Sequence, residues 1–361
     1  MFIISFYQIN LVPNPSFEDT LSNCPSGPVL VNQSPPWINP TLGSPDYFNS
    51  CNSFAPFSTP TNQLGFENAH TGKAYCDFGA ITLAPGWSNN REYIQVQLIT
   101  PLILGEIYCV EFYVSITDSS SEYAVNNIGV YFSTNAISIA THGTLPYTPQ
   151  ITNPSSNPLT NTIGWTKVSG VFIAQGGEQY ITIGNFNDDN HSDTVFVRQP
   201  SNIYQQKECI YYLDDVSVIH LDDDAGQDTA ICQGGSVMLG RPSHPWLSYS
   251  WYPSIGLSND TIAQPIATPT VTTTYYLTAT LNGGCSKLDT VTVTVVNAHA
   301  GNDTTLCYNS SATIGAAAQN NVNYTWQPAT GLSNANTAQP IATPCVTIDL
   351  MQKQITSAGL I

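Results

Sequence analysis

Positive charge is what this sequence has least of. Eight Lys and Arg stand against 25 Asp and Glu, a formal net charge of -17 over 361 residues. A surface that acidic repels phosphate backbones and anionic headgroups, which excludes nucleic acid as a partner. Charge of either sign is scarce: 9% of residues are Asp, Glu, Lys or Arg, against about 25% in an average soluble protein, too few to coat helical bundles. No apolar run of about 18 residues or more occurs, so no membrane-spanning helix is expected. Catalytic signatures are missing as well: there is no GxSxG elbow, HExxH, P-loop or CxxC. The six histidines are scattered without metal-ligand spacing. Paired carboxylates occur only as sequence neighbours, which on a strand point to opposite faces and cannot flank one glycosidic bond. The chain therefore reads as non-enzymatic.

What is present is turn chemistry and strand chemistry. Gly and Pro number 25 each, and long Ser, Thr and Asn runs separate short apolar segments. These segments are rich in β-branched and aromatic residues, as in IYCVEFYVSI, WTKVSGVFIA and QYITIGNF, so the expected class is all-β. The opening MFIISFYQIN has an apolar run but neither a basic start nor a small-residue cleavage site. Residues 1–9 read as the remnant of a leader, an incomplete signal peptide. Nine cysteines and an acidic surface suit an extracellular or cell-surface protein.

Self-comparison uncovers a repeat. AGQDTAIC, Ala225 to Cys232, returns as AGNDTTLC, Ala300 to Cys307, and GLSNDTIAQPIATP, Gly256 to Pro269, returns as GLSNANTAQPIATP, Gly331 to Pro344. Trp251 and Trp326 keep the same offset, which makes 222–297 and 298–361 tandem modules of one fold. Strands SVMLG, YSWYP, TTTYYLTATL and DTVTVTVV describe a small sandwich with Trp251 in its core. A disulfide between Cys232 and Cys285 is expected to staple it, two buried thiols being the alternative. From Cys345 the second copy departs from the repeat, and the position matching Cys285 is Leu360. The last module is expected to be incomplete.

Residues 10–221 form a different, larger all-β unit. Near its end stands YYLDDVSV, Tyr211 to Val218. By strict alternation Asp214 shares a face with Tyr212, Val216 and Val218, so a core-facing set of valines would turn Asp214 inward, where a carboxylate needs a cation or donors. With so few Lys and Arg, a bound metal is the available cation, and calcium suits carboxylate and carbonyl oxygens. The alternative places both aspartates in an edge or bulge facing water. NFNDDNHSD, Asn185 to Asp193, lacks the glycine and terminal glutamate of an EF-hand and reads as a solvated loop; LDDDAGQD, Leu221 to Asp228, reads as a domain boundary. Cys24 and Cys51 bracket a Pro-rich loop and are expected to pair. Cys76 and Cys109 read as buried thiols or a cross-strand pair.

In order and spacing, NLVPNPSFED (Asn10 to Asp19), TGKAY (Thr71 to Tyr75), PLILGEIYCVEFYVSI with GWTKVSGVF, and YYLDDVSV resemble the jelly-roll carbohydrate-binding modules of the family 4/9/22, galactose-binding-like type. SPDYFNSC, REYIQVQL and GGEQYITIGNF are similar to a variant found in surface proteins of Bacteroidetes. The resemblance implies a jelly-roll β-sandwich with a structural calcium joining its first and last strands. The ligands it implies are the carboxylates of Glu18 and Asp214 and the carbonyls of Ser16 and Lys73; a further acidic position falls near His70, where this chain has no carboxylate. It also implies a sugar site lined by aromatic rings. Candidates are Trp37, Tyr47 with Phe48, and Trp87, with Arg91 and Asn89 as polar contacts; Trp37 and Tyr47 have the alternative of anchoring a long loop. Trp165 matches the family's structural tryptophan and is assigned to the core.

The repeats resemble the PKD-like or Ig-like modules of gliding, type IX-secreted proteins of Bacteroidetes. Together the resemblances imply a secreted or surface-displayed binding protein with a polysaccharide ligand. The competing expectations are a structural adhesin that binds surface proteins and the accessory region of a larger enzyme.

Overall fold

The computed structural model describes residues 10–21, 24–84, 86–198, 208–221, 224–281, 284–296, 300–307, 309–318, 322–346 and 349–356. The leader-like residues 1–9 lie outside them. The chain is all-β and divides into two compact units, 1–222 and 223–361.

The first unit is a sandwich built from β1 (Tyr47–Asn49), β2 (Ala74–Thr82), β3 (Tyr93–Gln97), β4 (Ile107–Ile116), β5 (Ile128–Ser133), β6 (Ile151–Thr152), β7 (Thr166–Ile173), β8 (Tyr180–Asn185) and β9 (Glu208–His220). One sheet has the order β1-β2-β9-β4-β7 and the other β3-β8-β5-β6, with antiparallel neighbours throughout. Alternation decides which residues meet between the sheets. Strand β4 sends Tyr108, Val110, Phe112, Val114 and Ile116 into the core, where they meet Ile94 and Val96 of β3, Val130 and Phe132 of β5 and Ile181 and Ile183 of β8.

The outer faces of both sheets are also covered. On the five-stranded sheet, Phe48, Tyr75 and Tyr212 pack under Phe57 and Leu64 of the segment that follows β1. On the four-stranded sheet, Tyr93 and Phe186 pack with Ile137 and Leu145 from the loop after β5, and Tyr131 stacks on Tyr147 at 4.6 Å. The Gln95 carboxamide pins that loop, accepting from Ile137 N at 2.8 Å and donating to its carbonyl at 3.2 Å.

Strand β9 does not alternate to its end. Cys209, Tyr211 and Leu213 face the core and Tyr212 the outer face, yet Val216 and Val218 face the core again. A bulge between Asp214 and Ser217 inserts the extra residue, and Asp215 carries it at φ +50°, the left-handed region that Asp tolerates better than most side chains. Asp214 thus shares the outer face with Tyr212 and not the valine face. The expectation from strict alternation is corrected, because Asp215 is an extra residue that shifts the parity between Asp214 and Val216. The chain's first segment closes on the same strand: Leu11 N donates to Val218 O at 2.8 Å, and the Asn10 side chain bonds Val218 N and Val216 O, each at 3.0 Å.

In the second unit, β10 (Thr229–Cys232), β11 (Leu247–Tyr252), β12 (Thr273–Leu281) and β13 (Ser286–Val296) form a sheet of order β10-β13-β12-β11, with β10 parallel to β13. Trp251, Tyr275, Leu277, Val291 and Val293 fill its core. The Cys232–Cys285 disulfide is not formed, and Cys232 is a free thiol. Cys232 pairs with Val296 at the end of β13, whereas Cys285 immediately precedes the start of that 11-residue strand. At about 3.3 Å per residue the two cysteines sit roughly 30 Å apart, far beyond the reach of a disulfide.

The second repeat keeps the frame of the first. Strand β14 (Val322–Gln327) pairs with β15 (Met351–Thr356) so that Trp326 faces Gln352 as Trp251 faces Leu277. Trp251 Nε1 donates to Ile262 O and Trp326 Nε1 to Thr337 O, both at 2.9 Å. Residues 304–307, the counterparts of β10, form no strand. Leu360 lies outside the described residues.

Candidate functional site

The bulge organises one end of the outer face of the five-stranded sheet. Asp214 is fully buried there. Its Oδ2 accepts from the backbone N–H of His70 at 2.8 Å and of Thr71 at 3.3 Å, and its Oδ1 accepts from Asp215 N at 2.7 Å. Burial and the neighbouring Asp215 charge outweigh these bonds and lift its carboxyl to about 8. Glu18 lies on the other side of the same turn, its Oε1 accepting from Lys73 N at 2.8 Å and Ala74 N at 3.0 Å. Gly72 sits between them at φ +65°, and a Cβ there would come within 2.3 Å of Glu18 Oε1. The site needs glycine for both reasons.

As hydrogen-bonded here, these residues do not fit a calcium cage. Calcium takes six to eight oxygens with lone pairs free. Three of the four acceptors implied by the resemblance are engaged by donors in this structure. The Lys73 carbonyl accepts from Ser50 N at 3.0 Å and Thr59 Oγ1 at 3.1 Å, and both carboxylates face backbone N–H groups. Ser16 is half-buried, two residues before Glu18. His70 presents an imidazole, its Nδ1 2.5 Å from Asp215 Oδ2 and its ring stacked on Tyr113 at 3.8 Å.

Beside His70 the outer face opens into a cleft of about 650 Å³. Phe66, Glu67, His70, Asp118, Ile163 and Trp165 line it. It exists because the segment covering β1, β2 and β9 stops short of β7. Trp165 immediately precedes β7 on the outer-face parity, opposite to core-facing Val168, so it is half-buried in the cleft wall and not in the core. Its Nε1 donates to Asn68 O at 2.9 Å, and its ring meets Tyr75 and His70 edge-on at 5.8 and 6.0 Å. Glu67 holds the rim together: Oε2 accepts from Ser115 Oγ at 2.7 Å and Gly164 N at 2.9 Å. Asp118 caps the opposite turn, accepting from Phe66 N at 2.9 Å.

The sugar-contact candidates part company. Trp87 is 56% exposed at the tip of the loop between β2 and β3. Trp37 is 1% exposed, tilted against Phe17 at 4.8 Å with Nε1 donating to Asn14 O at 2.8 Å. Tyr47 is fully buried and donates to Phe17 O at 2.9 Å. Both anchor the NPSFED turn, in which Asn14 and Phe17 adopt positive φ, and neither can stack on a ligand. Phe48 is buried under the covering segment. Arg91 is fully buried: it pairs with Asp189 at 2.9 Å and donates to Asn187 O through Nε and Nη2. Asn89 and Asp189 exchange side-chain to backbone bonds at 2.7 and 2.8 Å. NFNDDNHSD is thus pinned by Arg91, whose buried guanidinium is not available to a sugar. Cys24 and Cys51 are joined by a disulfide.

Sequence reading missed three features. The cleft is assembled from segments around 66–70, 118 and 162–165, which no local motif links. Thr71 Oγ1, which donates to Asp215 at 2.6 Å, was read only as part of a turn. The third is a carboxylate group of Asp46, Asp77 and Glu92. Asp46 N donates to Asp77 Oδ1 at 2.6 Å, and Glu92 accepts from Ser44 N at 2.6 Å and Gly79 N at 2.8 Å. Burial and then the Glu92 charge push Asp46 to about 7; burial and the Asp46 charge push Asp77 well above the carboxylate range.

Residues 224–297 match the family described as an Ig-like domain, CHU_C associated. The second unit therefore begins with an Ig-like domain. No curated protein matches the chain. Among solved structures, the chain is similar to the CBM22-1 xylan-binding domain of Paenibacillus barcinonensis Xyn10C, at 12% identity, TM-score 0.28, covering 57% of this chain and 91% of that one. It is similar also to the K1 cleaved adhesin domain of Lys-gingipain from Porphyromonas gingivalis W83, at 12% identity, TM-score 0.26 and coverage of 56% and 94%. A third is the N-terminal cellulose-binding domain of Cellulomonas fimi β-1,4-glucanase C, at 12% identity, TM-score 0.22 and coverage of 42% and 79%. At such scores these resemblances carry no functional argument.

Proposed function

We propose that this chain is a non-catalytic, secreted or surface-displayed binding protein whose first unit takes a neutral polysaccharide in the Trp165 cleft and whose Ig-like modules act as spacers. The observation that carries this reading is the cleft itself. Cover segments occupy both outer faces, and the cleft is where a pinned tryptophan still borders open space. An indole face beside hydrogen-bonding side chains suits a pyranose, whose C–H face stacks while its hydroxyls bond. Glu67 and Asp118 line the cleft and no Lys or Arg does, which favours neutral sugars over uronates. The two carboxylates hold turns in place, a structural use that supports binding without hydrolysis. The Ig-like domain supports the surface location.

A polysaccharide array with the full chain tests the reading. Trp165→Ala should weaken binding to a neutral glycan about tenfold, the worth of one aromatic stacking contact. Loss in Trp87→Ala instead, with Trp165→Ala unaffected, moves the site to the exposed loop tip. No binding to any glycan by the folded wild type ends the carbohydrate reading and leaves an adhesin that binds surface proteins.

A further inference from the structure

We infer that the joint between the first and last segments of the sandwich is closed by protein donors alone, a nest of backbone N–H groups with the His70 imidazole standing where a cation would. The turn 70–74 lies between Glu18 near the chain's start and the Asp214–Asp215 bulge in β9. Its amides point outward on both sides: Lys73 and Ala74 donate to Glu18, His70 and Thr71 to Asp214. Successive amides aimed at a carboxyl group turn the positive ends of their dipoles toward its oxygens. A cation within bonding distance of Asp214 Oδ2 would lie against two amide hydrogens, where it is repelled. The side chains complete the pattern. Thr71 Oγ1 donates to Asp215 Oδ1 at 2.6 Å, and His70 Nδ1 hydrogen-bonds Asp215 Oδ2 at 2.5 Å. Tyr113, paired with Asp214 across β9 and β4, supports the imidazole from below.

The consequence is a binding unit whose fold does not depend on extracellular calcium. Thermal melting of the full chain, together with calorimetric titration by calcium chloride after EDTA treatment, tests this directly. The melting temperature should agree within about 1 °C between EDTA and millimolar calcium, since a ligand held only by the folded state would raise it. No calcium heat should appear that Glu18→Gln or Asp214→Asn abolishes. His70→Ala should lower the melting temperature by several degrees with or without calcium, roughly the loss of one charge-assisted hydrogen bond, and His70→Gln, which keeps a donor, should restore part of it. A calcium-dependent rise of about 5 °C or more in the wild type overturns the inference. So does a His70→Ala chain that melts like the wild type.

Discussion

Trp37 and Trp165 differ in how far local sequence reports their surroundings. Trp37 sits in PPWINP, a loop with no strand pattern, and reads as either a sugar contact or a loop anchor; Trp165 heads a regular strand and looks like core. In the structure Trp37 is sealed against Phe17 while Trp165 borders open space. The difference lies in what covers each ring. A loop that folds back carries its tryptophan inward. A strand at the sheet margin presents one parity to the core and the other to whatever crosses above it, and above β7 no described segment does. Burial of a large aromatic is thus set by chain segments distant in sequence, which a local pattern does not report.

The largest way to sharpen that contrast is to delete both rings. Trp37→Ala should cost about 4 kcal/mol of stability in the first unit, the usual penalty for emptying a large aromatic site. Chemical denaturation would read it, and a loss near that of an exposed tryptophan would contradict the buried placement. Next comes the loop that carries Trp37. Cys24→Ser opens a disulfide of sequence separation 27 and should cost roughly 3 kcal/mol by chain entropy. A difference in melting between oxidised and reduced wild type checks it independently. Trp165→Ala should do the reverse of Trp37→Ala, leaving the melting temperature within a few degrees while weakening glycan binding about tenfold.

Acidity touches both sides, at Asp214 beside the cleft and at Asp46 near Trp37. Asp46 adjoins Tyr47, and its folded carboxyl titrates at about 7 against an ordinary 3.8. A raised folded value favours the protonated form, so this group stabilises the fold at low pH and that contribution is lost as pH climbs to about 7. Asp77 acts in the same direction. Melting temperature should therefore fall from about pH 5 to pH 8, and Asp46→Asn should flatten the slope and gain about 2–4 °C at pH 8. An unchanged slope in that variant would mean that water or another group already relieves the carboxylates. The smallest effect is expected at Cys232→Ser, which should leave the second unit's melting within about 1 °C, as befits a thiol with no disulfide to lose.

Strand chemistry was legible in the sequence because alternating apolar residues suffice to make a sandwich; IYCVEFYVSI places every second residue in the core as its pattern states. The tandem repeat was legible because identical strings recur at a constant offset. Arg91 was not, since nothing in its neighbourhood announces that Asp189, far along the chain, will bury it. Nor was the cysteine placement in the Ig-like domain, where a parallel strand puts Cys232 at the opposite end of β13 from Cys285. The calcium expectation came from residue types that match, while the structure shows those carboxylates facing amides, a matter of direction and not of identity.

The bulge at Asp215 sets what this strand can tolerate over generations. Exchanges at position 215 that accept a left-handed backbone and keep an acceptor, such as Asn, preserve both the bulge and its bonds to His70 and Thr71. Losing that residue would pair β9 with β4 one to one and leave Val216 and Val218 in the core, yet take those bonds away. The facing of the valines survives either change, so what descent must preserve here is the acceptor that the extra residue carries.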